Sequence, residues 1–207
     1  MTKYVIKSVK KSRLIVAAMW VLYCASYFIR TCYAATIAPL AEEGIYSKGE
    51  IGLIGTAFFI CYGVGQLISG LIGDKINPFF MVMFGSVLGA VCCFLMPAAG
   101  SLGVLIGVWA ANGLFQSMLW SPILRIFSET IDESLSKKAI LNIALSLPVG
   151  TVLAYLMSSM IIKYLNWKYV FIFGGSVVVI AVLFAGFAIF CSEKDIEKVP
   201  VIQKQNA

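Results

Sequence analysis

The chain has 207 residues, 60% of them hydrophobic and only 13% charged, with no histidine and a formal net charge of +6. Soluble domains carry roughly 25% charged residues, so water is excluded as the main solvent. With no histidine, no pair of carboxylates inside an apolar run and no metal-ligand spacing, acid–base and metal chemistry lack their usual groups, which argues against an enzyme and against a bound cofactor.

Residues 1–13 form a basic tail holding Lys3, Lys7, Lys10, Lys11 and Arg13. The apolar run that follows, Leu14–Leu40, is too long for the core of a cleaved secretory signal, and five more such runs come after it. It is read as the first transmembrane helix, since about 20 apolar residues at 1.5 Å each cross a ~30 Å hydrocarbon layer. Arg30 lies deep in this run, and every carboxylate of the chain falls in a loop, a tail or at the end of a span. A cation at that depth costs from a few to over ten kcal/mol, so it is expected to face a watery cavity. Tyr23, Ser26, Tyr27 and Arg30 follow at helical spacing and give one polar-tipped stripe. A planar guanidinium beside hydroxyl groups suits phosphate or carboxylate. Two other placements are open: snorkelling to the outer surface, or bonding a carbonyl of a helix broken near Pro39.

The second span, Ile51–Ile72, leads into a short loop with Asp74 and Lys75. The third, Phe79–Ala99, and the fourth, Leu102–Phe127, carry Gly85-x-x-x-Gly89 and Gly103-x-x-x-Gly107, spacings that let helix backbones approach closely. Further along the fourth span Asn112, Gln116 and Trp120 recur every four residues, with Ser117 and Ser121 beside them. They either line the same cavity as Arg30 or bond across helices. The fifth span, Ala139–Ile162, holds Asn142, Ser146, Pro148, Gly150 and Thr151, a pattern that interrupts or kinks a helix. The sixth is Trp167–Cys191, and the polar segment 192–207 that follows is expected to be a cytoplasmic C-terminal tail or the start of a linker between halves. The six cysteines all lie in or at the ends of apolar runs and read as small packing residues. The predicted fold is therefore all-α: a six-helix transmembrane bundle over residues 14–191, compatible with two inverted three-helix repeats.

Taking the N-terminus as cytoplasmic, twelve Lys and Arg residues fall on the cytoplasmic side and three, Lys48, Lys163 and Lys168, on the other. The positive-inside rule then puts both termini in the cytoplasm. Basic tails facing anionic lipid account for the net charge without any nucleic acid.

The loop Gly70-Leu71-Ile72-Gly73-Asp74-Lys75-Ile76-Asn77-Pro78 resembles the G-x-x-x-D-R/K loop of the major facilitator superfamily. Asp74-Lys75-x-Asn77-Pro78, Tyr27-Phe28-Ile29-Arg30 with Ala35 and Pro39, and Asn112-Gly113-x-x-Gln116-x-x-x-Trp120-Ser121-Pro122-x-x-Arg125 are similar to the N-terminal half of its organophosphate:phosphate antiporter family. Trp167-Lys168-Tyr169-Val170-Phe171 is similar to the opening of the sixth helix in many members. The resemblance covers about Leu14 to Cys191. It implies that Arg30 is one of two arginines that clamp phosphate, the other coming from a C-terminal half. Where some family members place a lysine after that arginine, a lysine in the second helix and a histidine in the fifth, this sequence has Thr31, Gln66 and Leu145. The implied solute is therefore a small anion, with phosphate esters one class among several.

The expected function is alternating-access transport of a small organophosphate, phosphate or carboxylate across a bacterial cytoplasmic membrane. Arg30, Tyr23, Tyr27, Asn112 and Gln116 are the expected solute contacts. Gly70, Asp74, Lys75 and Arg125 are the expected cytoplasmic gate, with Arg125 paired to Asp74. A cavity between two bundles calls for a second six-helix half, whether a separate chain, a second copy, or a part missing from a truncated product. The alternative function is a membrane-embedded solute sensor or interaction subunit.

Overall fold

The computed structural model describes residues 2–193 and 196–200. Six helical spans are long and apolar enough to cross a membrane, bounded by Val9–Glu42, Lys48–Gly73, Pro78–Ala98, Leu102–Thr130, Glu133–Tyr164 and Lys168–Glu193. The chain is an integral membrane protein. Four of these spans contain one principal helix: α1 (Val9–Glu42), α2 (Lys48–Gly73), α3 (Pro78–Leu95, followed by a 3-10 turn at Met96–Ala98) and the last, α8 (Lys168–Glu193). The fourth span is split into α4 (Leu102–Gln116) and α5 (Trp120–Thr130), and the fifth into α6 (Glu133–Ile143) and α7 (Ser146–Tyr164). Strand β1 (Thr2–Ile6) pairs antiparallel with β2 (Ile196–Pro200), Ile6 opposite Ile196, so the two ends of the described chain meet at one face. The segments 194–195 and 201–207 of the expected C-terminal tail lie outside the described residues.

Local chemistry sets the helix boundaries. Ser47 starts α2 through a reciprocal capping box: its hydroxyl accepts from the Glu50 amide at 3.3 Å, and the Glu50 carboxylate accepts from the Ser47 amide at 2.7 Å. Asn77 caps α3, whose first residue is Pro78, a position where the missing N–H is harmless. The two split spans share a cause. Proline lacks a donor and its ring clashes with the carbonyl four residues back. For Pro122 that residue is Met118, within the break between α4 and α5; for Pro148 it is Ala144, at the break between α6 and α7. Pro39 behaves differently. Helix α1 runs through it and ends only at Glu42, so there is no broken helix there for Arg30 to reach.

Packing follows a simple scheme: α1 packs on α7 and α8, α2 on α4, and α3 on α4 and α8. Numbering the spans one to six, these neighbours are one with five and six, two with four, and three with four and six. Exchanging the first three spans for the last three maps this set onto itself, which is the pattern a three-plus-three repeat requires. With an odd number of helices in each triplet, the second triplet runs inverted relative to the first. The first span is the hub, with 61% of its apolar window buried, whereas the windows of the second and fifth are only 22% buried.

Glycines set the closest approaches. A Cβ at Gly113 would lie 3.1 Å from the Phe58 carbonyl carbon, and one at Gly150 would lie 2.9 Å from the Tyr27 Cβ. Gly85 and Gly89 of α3 likewise bring its backbone against α4 and the residues after it, as their spacing suggests. Gly103 and Gly107 depart from expectation: nothing lies within 4 Å of either, so that pair seats no neighbouring helix. At the far end of α1 the Trp167 indole N–H donates to Glu43 at 2.7 Å and ties the loop before α8 to the end of the first span.

Candidate anion site around Arg30

Arg30 neither snorkels nor points into a purely apolar core. It is partly buried, and its guanidinium is hydrogen-bonded by groups from two other spans, the second and the fourth. Nε donates to the Gln116 side-chain oxygen at 3.3 Å, one terminal nitrogen donates to the Tyr62 hydroxyl at 3.2 Å, and the other donates to the Gln116 backbone carbonyl at 3.1 Å. Three aromatic rings surround the cation, with centroids 4.8 Å (Tyr62), 5.1 Å (Tyr27) and 5.8 Å (Tyr23) from its central carbon. Each such contact contributes about 0.5–2 kcal/mol depending on desolvation.

The Gln116 carbonyl is available because α4 ends there: the last carbonyls of a helix have no intrahelical donor, and they form the negative end of its dipole. The proline break in the fourth span thus supplies part of the arginine's cradle. A guanidinium has five N–H donors, and the three bonds described occupy three of them. The two that remain can meet an anion. None of the bonds or ring contacts to Arg30 brings it a carboxylate, so its positive charge is balanced by dipoles and rings alone.

Of the residues singled out from sequence, Tyr23, Tyr27 and Gln116 do gather at Arg30. Tyr23 stands edge-on to Tyr27 with ring centroids 5.4 Å apart and against Trp120 at 5.3 Å. Ser26 turns away and bonds the Tyr23 carbonyl at 2.7 Å. Asn112 does not reach the arginine. It is wholly buried, and its oxygen lies 3.3 Å from where a Gly89 Cβ would stand, on the α3 side of α4. Both polar side-chain atoms of Asn112 and the amide nitrogen of Gln116 are buried without a hydrogen-bond partner among the described residues.

Tyr62 was absent from the sequence-derived set. Its oxygen accepts from Arg30 and, at 2.9 Å, from the Gln66 side-chain nitrogen, which leaves its own O–H free to donate. The signal for it is a tyrosine and a glutamine at i and i+4 in a second span whose other hydroxyls are Thr56 and Ser69.

The expected gate is arranged differently from its prediction. Arg125 does not pair with Asp74. Its Nε bonds Glu129 one turn on at 2.7 Å, and a terminal nitrogen donates to the carbonyls of Gly73 and, at 3.1 Å, Ile76. The reason lies in helix geometry: the C-terminal carbonyls of α2 need donors, and the guanidinium supplies them. Asp74, the capping residue of α2, and Lys75 are exposed, as is Gly70. Arg125 therefore clasps the loop through its backbone.

Residues 19–206 match the family model described as Major Facilitator Superfamily. The glycerol-3-phosphate transporter of Bacillus subtilis is 33% identical over 164 residues, which cover 76% of this chain and 36% of the relative. The membrane sensor protein UhpC of Escherichia coli is 30% identical over 112 residues, covering 54% and 25% of the two chains. The probable hexose phosphate transport protein of Chlamydia trachomatis is 22% identical over 151 residues, covering 73% and 33%. These relatives are those to which the organophosphate:phosphate antiporter motifs pointed. Among solved structures, a bacterial homologue of the human lysosomal transporter Spinster, inward-facing and unoccupied, superposes with a TM-score of 0.77 at 16% identity, over 96% of this chain and 46% of that one. The POT family transporter PepTSo gives a TM-score of 0.74, over 96% of this chain and 40% of that one. At such identities the likeness is one of fold. The chain spans about a third or less of the length of these curated relatives and under half of these solved chains.

Proposed function

Because the chain belongs to the Major Facilitator Superfamily, we propose that its partly buried arginine binds a small anionic solute, an organophosphate, phosphate or carboxylate, and that the solute crosses the membrane by alternating access. The observation that carries this reading is a guanidinium deep in an apolar span, held by dipoles and aromatic rings with no carboxylate among those contacts. Removing an ion from water costs several kcal/mol, which neutral hydrogen bonds and ring contacts offset only in part. An anion that brings the missing countercharge recovers the remainder, and that recovery is the source of affinity. Tyr27 and the free O–H of Tyr62 orient the solute, and Gln116 holds the arginine in place.

Alternating access follows if the anion binds inward-open and outward-open states differently, since a ligand shifts an equilibrium only by its differential affinity. An empty site leaves the arginine charge uncompensated during the exchange of states; a loaded site carries a balanced pair. Exchange of one anion for another is then faster than return of the empty carrier. A second six-helix bundle completes the cavity, and the bias of basic residues supports cytoplasmic termini.

The similarity to a protein named as a membrane sensor favours one competing reading, in which the same site binds an anion without carrying it. Proteoliposome counterflow with radiolabelled glycerol 3-phosphate, inorganic phosphate and a dicarboxylate, run on the chain paired with a second six-helix bundle, separates the two. Binding with counterflow supports the carrier, and binding alone supports the sensor. Arg30→Ala is expected to lower binding by roughly 100-fold or more, as when one member of a buried charge pair is removed. Arg30→Lys keeps the charge but loses the fork and is expected to recover only part of it. Undiminished anion binding in Arg30→Ala would sink both readings.

A further inference from the structure

A second cationic feature lies on the same helix, far from Arg30. Where α1 meets α6 and the start of α7, a cleft of about 340 Å³ is lined by Arg13, Val16, Trp20, Leu135, Asn142 and Leu145. Arg13 is exposed and has no hydrogen bond or ion pair among the described residues. On α6, by contrast, Lys137 bonds Glu133 at 2.7 Å.

The walls of the cleft are well defined. The Trp20 indole N–H donates to the Asn142 backbone carbonyl at 3.1 Å, so the ring is pinned across the gap between α1 and α6. That carbonyl lies in the last turn of α6, just before the interruption that Pro148 imposes. The Asn142 carboxamide also lines the cleft, is exposed, and has no hydrogen bond among the described residues. The cleft therefore offers one unpaired guanidinium, one free amide, a fixed indole and the aliphatic side chains of Val16, Leu135 and Leu145.

This set matches a phosphate-bearing molecule with an uncharged tail. The guanidinium takes two phosphate oxygens as a fork, the amide N–H takes a third, and the indole and aliphatic groups cover the tail. Basic pockets between membrane helices hold headgroups on the same terms. The cleft is also well separated from the first site: Arg13 and Arg30 are seventeen positions apart on one continuous helix, about 25 Å along its axis.

We propose that the Arg13–Trp20–Asn142 cleft is a second anion site, distinct from that of Arg30, which takes the phosphate group of an anionic phospholipid or of a soluble phosphate ester. The two sources share one chemistry, and the experiment tells them apart. The detergent-purified chain is exposed to phosphatidylglycerol or phosphatidylcholine, and retained lipid is counted by native mass spectrometry. In parallel, glycerol 3-phosphate binding is measured by titration in an Arg30→Gln background, where the first site is disabled. The variants are Arg13→Gln, Arg13→Lys and, as a control on the same basic tail, Lys10→Gln.

Preferential retention of phosphatidylglycerol, lost roughly 10- to 100-fold in Arg13→Gln and partly restored in Arg13→Lys, assigns the site to a lipid headgroup. Residual glycerol 3-phosphate binding in the Arg30→Gln background, lost to the same extent on adding Arg13→Gln, assigns it to a soluble ester. Retention that does not distinguish the two lipids, together with no residual ester binding, overturns the proposal. So does a loss equal in Lys10→Gln and Arg13→Gln, which would report the charge of the tail and no specific cleft. Arg13 is exposed, so helicity by circular dichroism is expected to be the same in all variants.

Discussion

Tyr62 accepts two hydrogen bonds on one oxygen and presents its ring to the arginine, so its two contributions can be separated by substitution. Tyr62→Phe keeps the ring and removes the acceptor, leaving one N–H of Arg30 and the Gln66 amide without their partner. A net hydrogen bond is worth about 0.5–1.5 kcal/mol, so anion affinity is expected to fall about 2- to 12-fold. Tyr62→Leu also removes the ring and is expected to fall further, by the 0.5–2 kcal/mol range of a cation–π contact. Equilibrium dialysis with labelled phosphate measures both; a phenylalanine variant that binds as tightly as the original chain would show that the hydroxyl plays no part. Glycines allow a test of packing at the same scale. Gly113→Ala would force a methyl group against the Phe58 backbone, whereas Gly107→Ala meets open space. The first is expected to destabilise the bundle by about 1–3 kcal/mol, and the second to be neutral or to stabilise it by up to ~1 kcal/mol through helix propensity. Thermal unfolding in one detergent, read by circular dichroism, should rank them in that order.

The break between α4 and α5 links an element to the site, because the carbonyl it frees at Gln116 is the one that Arg30 bonds. Pro122→Ala restores an amide four residues after Met118 and removes the clash, and is expected to extend one helix through residues 117–119. Two consequences follow. The amides of Met118 and Leu119 should exchange with deuterium more slowly, and the Gln116 carbonyl should turn back into the helix, weakening anion binding by a few-fold to tenfold. Slower exchange with unchanged binding would mean that the carbonyl is dispensable. This coupling also marks how far the sequence could be read. Six spans were legible because runs of about twenty apolar residues leave few alternatives, and Pro148 announced an interruption, whereas the break ahead of Pro122 in the fourth span was not read from the sequence. Arg30 stood out because a charge in such a run has few explanations. Its partners were harder to place. Tyr62 and Gln116 lie 32 and 86 positions away, and periodicity within one helix does not say which face of another it meets. Asn112 shares the four-residue spacing of Gln116 and yet turns toward Gly89. The expected Arg125–Asp74 pair failed for a related reason: counting charges overlooks the carbonyls at a helix end, which compete for the same guanidinium.

At the scale of the whole molecule, the unevenly buried spans bear on whether one bundle can act alone. The second and fifth spans bury only 22% of their apolar windows, and Phe59, Leu67, Leu71, Leu153, Leu156 and Met160 stand exposed on α2 and α7. Lipid satisfies apolar side chains as well as protein does, so exposure alone does not demand a partner. Arg30 changes that balance. It is partly exposed on the side of α1 that also carries Ala34 and Ile37, one and two turns on, both of them exposed. Acyl chains against that face would leave its two remaining donors without acceptors, at several kcal/mol. A second bundle that encloses water or an anion there removes the penalty. The prediction is that the chain reconstituted alone shows no anion counterflow, and that co-expression with the six C-terminal helices of a glycerol-3-phosphate transporter restores it and co-purifies as a one-to-one pair. In Arg30→Leu the penalty disappears, so the chain alone should gain stability in lipid even as counterflow by the pair is lost. If Arg30→Leu instead destabilises the isolated chain, the arginine is held chiefly by contacts within its own bundle, and the case for a partner on electrostatic grounds falls.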